Sequence, residues 1–220
     1  MSLPEFTAYA LPRQAQLPPT PVPWLVDARR AALLVHDMQN YFLRPYMGRE
    51  PIPEVIENVR ALAQAARAAG MPVIYTRQPA GQSPARRGLL MELWGPGPGS
   101  RPDDGDITTP LHPQAADHVV VKHRYSAFHA TPLADLLAAE GRDQLMVTGI
   151  YAHIGCLLTC ADAFMRDISP FFVADATADF DAEHHTLALR NAATLCAQVT
   201  TTQAALRALH VPGLEDRAGQ

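Results

Sequence analysis

Apolar runs of strand length alternate with helix-patterned segments along almost the whole chain, and that alternation restricts the fold more than any other feature. Ala31-Ala-Leu-Leu-Val35 is a continuous apolar run, followed by an Ala- and Leu-rich helical stretch from Ile56 through Ala69 that Gly70 ends. The strand signal returns at Pro72-Val-Ile-Tyr-Thr76, Val119-Val-Val-Lys122, Leu145-Met-Val-Thr-Gly149 and Phe171-Phe-Val-Ala174, and Gln198-Val-Thr-Thr-Thr202 reads as a sixth strand. Further helices are predicted from about Gly155 to Asp167, from Ala182 to Leu195, and in a last short segment ending near Leu209. Buried strands separated by helices predict a three-layer α/β/α, Rossmann-like fold with a central, mostly parallel six-stranded sheet.

The 220 residues, 48% of them hydrophobic, suit one such domain with a sizeable core. Eighteen basic against twenty-two acidic residues leave a net charge of -4, so no global positive field points to nucleic acid or an anionic membrane. An anionic substrate must therefore be met by local charge. The start, Met1-Ser-Leu-Pro-Glu-Phe6, has neither a basic n-region nor an apolar h-region, and no stretch approaches the roughly 18 apolar residues of a membrane span. These readings predict a cytoplasmic protein. Cys156, Cys160 and Cys196 make no disulfide framework and fit a reducing compartment. Residues 1–28 form a Pro-rich arm with five prolines between positions 11 and 23, read either as an extended arm wrapping the domain or a partner subunit, or as a disordered tag.

In an open parallel sheet, ligands bind beyond the carboxyl ends of the strands. Asp37 follows the first apolar run, Gln78 the second, Lys122 the third and Tyr151 the fourth. Any one of them alone reads as a helix cap or a surface ion pair. Four on one edge of the sheet predict a site. Residues 80–118 carry prolines, glycines and charges without a period, which reads as a mobile surface loop or as a lid over that site with Trp94 as its apolar face.

Leu33-Leu-Val-His-Asp-Met-Gln-Asn-Tyr-Phe42, Tyr75-Thr-Arg-Gln-Pro79, Trp94-Gly-Pro-Gly97, Lys122-His-Arg-Tyr-Ser-Ala-Phe128, the stretch from Gly149 to Asp167 and Val173-Ala-Asp-Ala-Thr-Ala-Asp-Phe180 together resemble the isochorismatases, a family within a hydrolase superfamily that also holds nicotinamidases. The resemblance implies hydrolysis of the enol ether of isochorismate to pyruvate and a dihydro-dihydroxybenzoate, or of 2-amino-2-deoxyisochorismate in phenazine-type pathways, without metal, cofactor or cysteine nucleophile. The partners it implies are a small chorismate-derived dicarboxylate and a second copy of the chain in a homodimer, which the N-terminal arm would suit. Asp37 matches the family's catalytic Asp and Lys122 its active-site Lys. Gln78 and Arg87 would bind substrate carboxylate and oxygen, with Arg86 sharing the task, and Tyr151 and Gly155 would complete the pocket. Phe42 and Trp94 would desolvate Asp37, and Tyr125 and Phe128 would flank the substrate ring or belong to the core.

An enol ether needs a positioned acid to protonate its vinyl carbon. Burial against Phe42 and Trp94 would raise the pKa of Asp37, whereas Lys122 would lower it, and the expectation is that substrate carboxylates neutralise Lys122 and leave Asp37 protonated. In the strand-to-helix turn after Val147, Gly155 stands where related hydrolases carry a thiol, leaving room for substrate, and Cys156 sits one residue late. The resemblance also implies a non-proline cis peptide near Ala152-His153. His153 reads as structural, the pair His184-His185 as the start or cap of the next helix, and Cys156 and Cys160 as buried small hydrophobes rather than metal ligands. The sequence departs from the family at His123, where a tryptophan is expected, and at Arg77, where a small residue is usual; both positions would retune the ring substituent accepted. With no carrier domain after Leu209, the chain resembles the stand-alone form. Two other readings are a nicotinamidase-like amidase using Cys156 with Asp37 and Lys122, and a non-catalytic scaffold docking through its arm.

Overall fold

The computed structural model describes residues 5–209; the short polar tail after Leu209 lies outside them. In chain order the elements are β1 (Ala31–His36), α1 (Asn40–Leu43), α2 (Ile52–Ala68), β2 (Val73–Arg77), α3 (Pro84–Arg87), α4 (Leu90–Trp94), β3 (His118–Val121), α5 (Leu133–Ala139), β4 (Gln144–Ile150), α6 (Leu157–Phe164), β5 (Ser169–Ala178), α7 (Ala182–Leu195), β6 (Gln198–Thr200) and α8 (Thr202–Ala208). The six strands lie in the order β3-β2-β1-β4-β5-β6, and every neighbouring pair is parallel.

The strands are apolar throughout because the sheet is covered on both faces, and their two-residue period divides the core into two layers. Ala31, Leu33 and Val35 of β1, Met146 and Ile150 of β4 and Phe171 and Val173 of β5 pack against α2 and α8. Ala32 and Leu34, Leu145 and Val147, and Phe172 and Ala174 face the other way, against α5, α6 and α7. The central strands are in tight register, with Leu33 opposite both Val73 and Met146.

Several boundaries differ from the sequence reading for identifiable reasons. The helix α2 begins at Ile52 rather than Ile56, with Pro53 in its first turn and Glu54 complementing the helix dipole. Thr201 is the N-cap of α8, its hydroxyl accepting from Ala204 N, so β6 stops at Thr200. The helix α5, which the apolar count missed, supplies the crossover between β3 and β4. Asp181, not the histidine pair, caps α7: its carboxylate accepts from His184 N, while His185 is buried a turn inside.

The N-terminal arm wraps its own domain. Thr7 N donates to Phe180 O at 2.9 Å. Phe6 packs edge-on against Tyr46 and Phe180 and tilted against Tyr151. Tyr9 OH accepts from Asp179 N at 2.8 Å and meets His185 Nδ1 at 3.0 Å. Thr20 Oγ1 accepts from Gln198 Nε2 at 3.1 Å. Among the described residues no helix is long and apolar enough to cross a membrane.

Candidate active site

The strand order reverses between β1 and β4, so the loops leaving their carboxyl ends diverge and open a crevice there. A small pocket occupies it. Nine of the residues singled out from the sequence line it: Asp37, Lys122, Gln78, Arg87, Tyr151, Gly155, Phe42, Trp94 and Tyr125. The loop between β2 and β3 is more ordered than its composition suggested, since α3 delivers Arg87 and α4 delivers Leu90 and Trp94 to the pocket.

Asp37 turns the chain out of β1 with a left-handed φ of 47°, a conformation costly for a non-glycine residue and concentrated at functional sites. Its carboxylate is buried and fully engaged. Lys122 Nζ lies 2.7 Å from Oδ2, Thr76 Oγ1 donates to Oδ1 at 2.7 Å, and Gln78 Nε2 donates to Oδ2 at 3.3 Å. The ammonium also donates to the carbonyls of Arg124 (2.9 Å) and Tyr125 (3.3 Å), so its three N–H groups are all directed. Burial pushes the Asp37 pKa upward, but the adjacent Lys122 charge and the hydrogen bonds from Lys122 and Thr76 outweigh it and hold the carboxyl below the usual aspartate value. Phe42 and Trp94 line the site and desolvate it, and the ammonium at 2.7 Å outweighs that burial.

Arg87 is 3% exposed, with Nη1 donating to Gln78 Oε1 at 2.6 Å and Nε to Gly95 O at 3.0 Å. A hydrogen-bonded line thus runs from Arg87 through Gln78 to Asp37 and Lys122. Among the described residues Arg87 has no carboxylate partner, whereas Arg44 and Arg67 pair with Asp104 and Asp117. Trp94 Nε1 donates to Tyr125 OH at 2.7 Å, and Tyr151 OH donates to Phe42 O at 2.9 Å, so the aromatic walls are pinned by their polar tips.

Other expectations are corrected. Arg86 is exposed and outside the pocket. Phe128 belongs to the core beneath the sheet, with Arg166 over its ring. His123 turns to Gln82 Oε1 at 2.9 Å, and Arg77 is exposed at the end of β2; neither lines the cavity, because neighbours in a strand or extended loop point to opposite sides. The non-proline cis peptide joins Ile150 and Tyr151, two residues before the predicted place.

Sequence reasoning missed Gln39 and His36. Gln39 is fully buried and clamps the Gln78 backbone, accepting from its N–H at 2.7 Å and donating to its carbonyl at 2.9 Å. Its signal was the Asp37-Met38-Gln39 alternation just past an apolar strand. His36 is 1% exposed, and burial lowers its pKa to about 4. A neutral imidazole has one N–H, and the shorter contact assigns it to Nδ1, donating to Ile150 O at 2.8 Å. A Cβ built on Gly155 would stand 2.1 Å from His36 Cε1, so the glycine leaves room for this ring as well as for the cavity.

Residues 31–204 match the family model for the isochorismatase domain. The chain belongs to the isochorismatase family. Isochorismatase from Bacillus subtilis (strain 168) is 47% identical over 207 residues, spanning 94% of this chain and 66% of that protein. Enterobactin synthase component B from Escherichia coli (strain K12) is 44% identical, over 98% of this chain and 80% of that protein. Phenazine biosynthesis protein PhzD from Pseudomonas fluorescens is 46% identical, over 91% of this chain and 96% of that protein. A solved structure of a cysteine hydrolase from Pseudomonas syringae pv. phaseolicola 1448A superposes with a TM-score of 0.80 at 28% identity, over 87% of this chain and 97% of that one.

In this isochorismatase-family enzyme the cysteine reading has no structural support. Cys156 is fully buried in the core layer with Cys160 and does not line the cavity. Burial pushes its thiol well above the ordinary value, and the nearby Asp37 and Asp179 charges add to the rise, the reverse of what a nucleophile needs. His153 is held by Asp179, its N–H at 2.6 Å from Oδ2 and its Nδ1 at 2.7 Å from Oδ1, which fixes the turn into α6 rather than reaching the cavity.

Proposed function

We propose that this isochorismatase-family enzyme hydrolyses the enol ether of isochorismate or 2-amino-2-deoxyisochorismate, releasing pyruvate and the ring alcohol, with Asp37 as the general acid. The observation that carries the reading is the line from Arg87 through Gln78 to a buried Asp37–Lys122 pair, facing a pocket with aromatic walls and no thiol. Arg87 has N–H groups to offer a substrate carboxylate beyond the two it uses within the protein, and a guanidinium suits such a bidentate partner.

Lys122 and the hydrogen bonds hold the Asp37 pKa below its ordinary value. A substrate carboxylate placed near Asp37 opposes them, since like charge raises its proton affinity. Lys122, 2.7 Å away, stabilises the carboxylate that remains once the proton has gone. The proton moves from Asp37 to the terminal vinyl carbon, making a methyl group and an oxocarbenium ion. Water adds to that cation, returning one proton to Asp37. The hemiketal then breaks its bond to the ring oxygen, which takes the second water proton, and the water oxygen becomes the keto oxygen of pyruvate. Tyr125, Tyr151 and Phe42 wall the ring during these steps. The same reading has the enzyme working as a cytoplasmic homodimer, checked by sedimentation of the purified chain.

Pyruvate release from the two substrates, side by side and with Asp37→Asn as control, tests the proposal. Release abolished in the control supports it, and the preferred substrate assigns the enzyme to siderophore or phenazine-type metabolism. Release unchanged in Asp37→Asn, or absent with both substrates, overturns it.

A further inference from the structure

We propose that His36 is a positioning residue for this reaction, its ring interlocked with Gly155 so that it fixes the three loops carrying the acid, the ammonium and the pocket wall. The inference rests on the reaction assigned above. His36 is the last residue of β1 and immediately precedes Asp37. Its Nδ1 donates to Ile150 O at the end of β4, and its Nε2 faces Tyr125 O, 3.2 Å away in the loop after β3. Lys122 Nζ donates to that same Tyr125 carbonyl, and His36 Nδ1 is 3.8 Å from Asp37 Oδ2. One buried ring therefore touches the segments that carry Asp37, Lys122 and the pocket wall.

What holds the ring is the missing side chain at position 155. An added Cβ would meet Cε1 at 2.1 Å, Nε2 at 2.8 Å and Nδ1 at 3.0 Å, so any residue but glycine there drives the imidazole off its carbonyls. The close packing of a protein interior offers the displaced ring no free volume on the sheet side. Gly155 and His36 are accordingly one device: the bare α-carbon seats the ring, and the ring seats the carbonyls.

The test is a double-mutant cycle of His36→Ala and Gly155→Ala with His36→Asn beside it, read as melting temperature, kcat and KM for pyruvate release. Gly155→Ala alone is expected to lower both the melting temperature and kcat, the latter about a hundredfold, as for a misplacement of about 1 Å at a reacting group. In the His36→Ala background the same change should cost no further melting temperature, because the added methyl group enters vacated space. His36→Ala should lower kcat with KM changed less than about threefold, and His36→Asn, whose amide reaches the Ile150 carbonyl, should recover much of the loss. A harmless Gly155→Ala overturns the proposal, as do equal costs in both backgrounds or a His36→Ala that alters KM alone. The melting half of the cycle needs no substrate, so a parent protein that releases no pyruvate refutes the assigned reaction while the cycle still decides the interlock.

Discussion

Replacing Lys122 by methionine removes the cation 2.7 Å from Asp37 while keeping much of its stem, and it leaves a buried carboxylate with only Thr76 and Gln78 as side-chain partners. At an effective dielectric of about 20, a charge pair at that distance is worth roughly 6 kcal/mol. In the parent the folded Asp37 pKa is depressed, so its contribution is present above the unfolded value and is lost as the pH falls through the folded one. In Lys122→Met the folded pKa rises, because burial is no longer opposed by that charge, and once it passes the unfolded value the sign reverses: stability is retained at low pH and lost as the pH rises. Between pH 5 and pH 7 the stability gap between parent and variant should therefore widen with pH, by up to about 1.4 kcal/mol per pH unit while the variant's Asp37 stays protonated. For a domain of this size each such unit is roughly 3–6 °C in Tm. Urea unfolding of both proteins at half-unit pH steps measures it. A gap constant within about 1 kcal/mol over that range would refute the coupling of Asp37 to Lys122.

Four further outcomes are expected. Arg87→Met should raise KM for either substrate by roughly 30- to 100-fold, with a smaller change in kcat, as loss of a charge-assisted carboxylate contact requires; steady-state kinetics in which kcat alone fell would contradict that role. Cys156→Ser should leave kcat/KM within about threefold of the parent, since the thiol does not reach the cavity, and a loss above a hundredfold would restore the cysteine reading. His36 and His185 both have folded pKa values lowered to about 4 by burial, so the unfolded chain binds protons that the folded one does not as the pH falls from about 6.5 to 4. Each should contribute about 2 kcal/mol of lost stability at pH 5, seen by denaturation at pH 5 and pH 7.5; equal stabilities would contradict their burial as neutral rings. Phe6→Ala should destabilise by roughly 3 kcal/mol and raise KM, because its ring backs Tyr151 and Phe180, both of which line the cavity.

The polar residues that end apolar strands were legible in the sequence because a sheet of this kind leaves them one place to go. Asp37, Gln78, Lys122 and Tyr151 follow β1, β2, β3 and β4, and parallel pairing puts those four ends on one edge. What the sequence did not carry was distance. The ionisation of Asp37 depends on an ammonium at 2.7 Å from a residue in another loop, and no local pattern encodes that separation. Gly155 was read as room for substrate, yet its Cβ position is also blocked by a ring from β1. Gln39 and His36 escaped notice because buried polar residues at strand ends resemble exposed ones until their partners are known. Phe180, after β5, joined the pocket without any signal beyond being apolar.

The ammonium of this site hangs from an edge strand of the sheet. β3 is an edge strand of four residues, pairs with β2 alone, and leaves Val119 and Val121 partly in solvent, while Lys122 follows it directly. Segments with few buried contacts open well below the free energy of global unfolding. Activity should therefore disappear in mild denaturant before the β1–β4 core yields, and amide exchange along 118–122 should slow when a carboxylate ligand fills the pocket against Arg87.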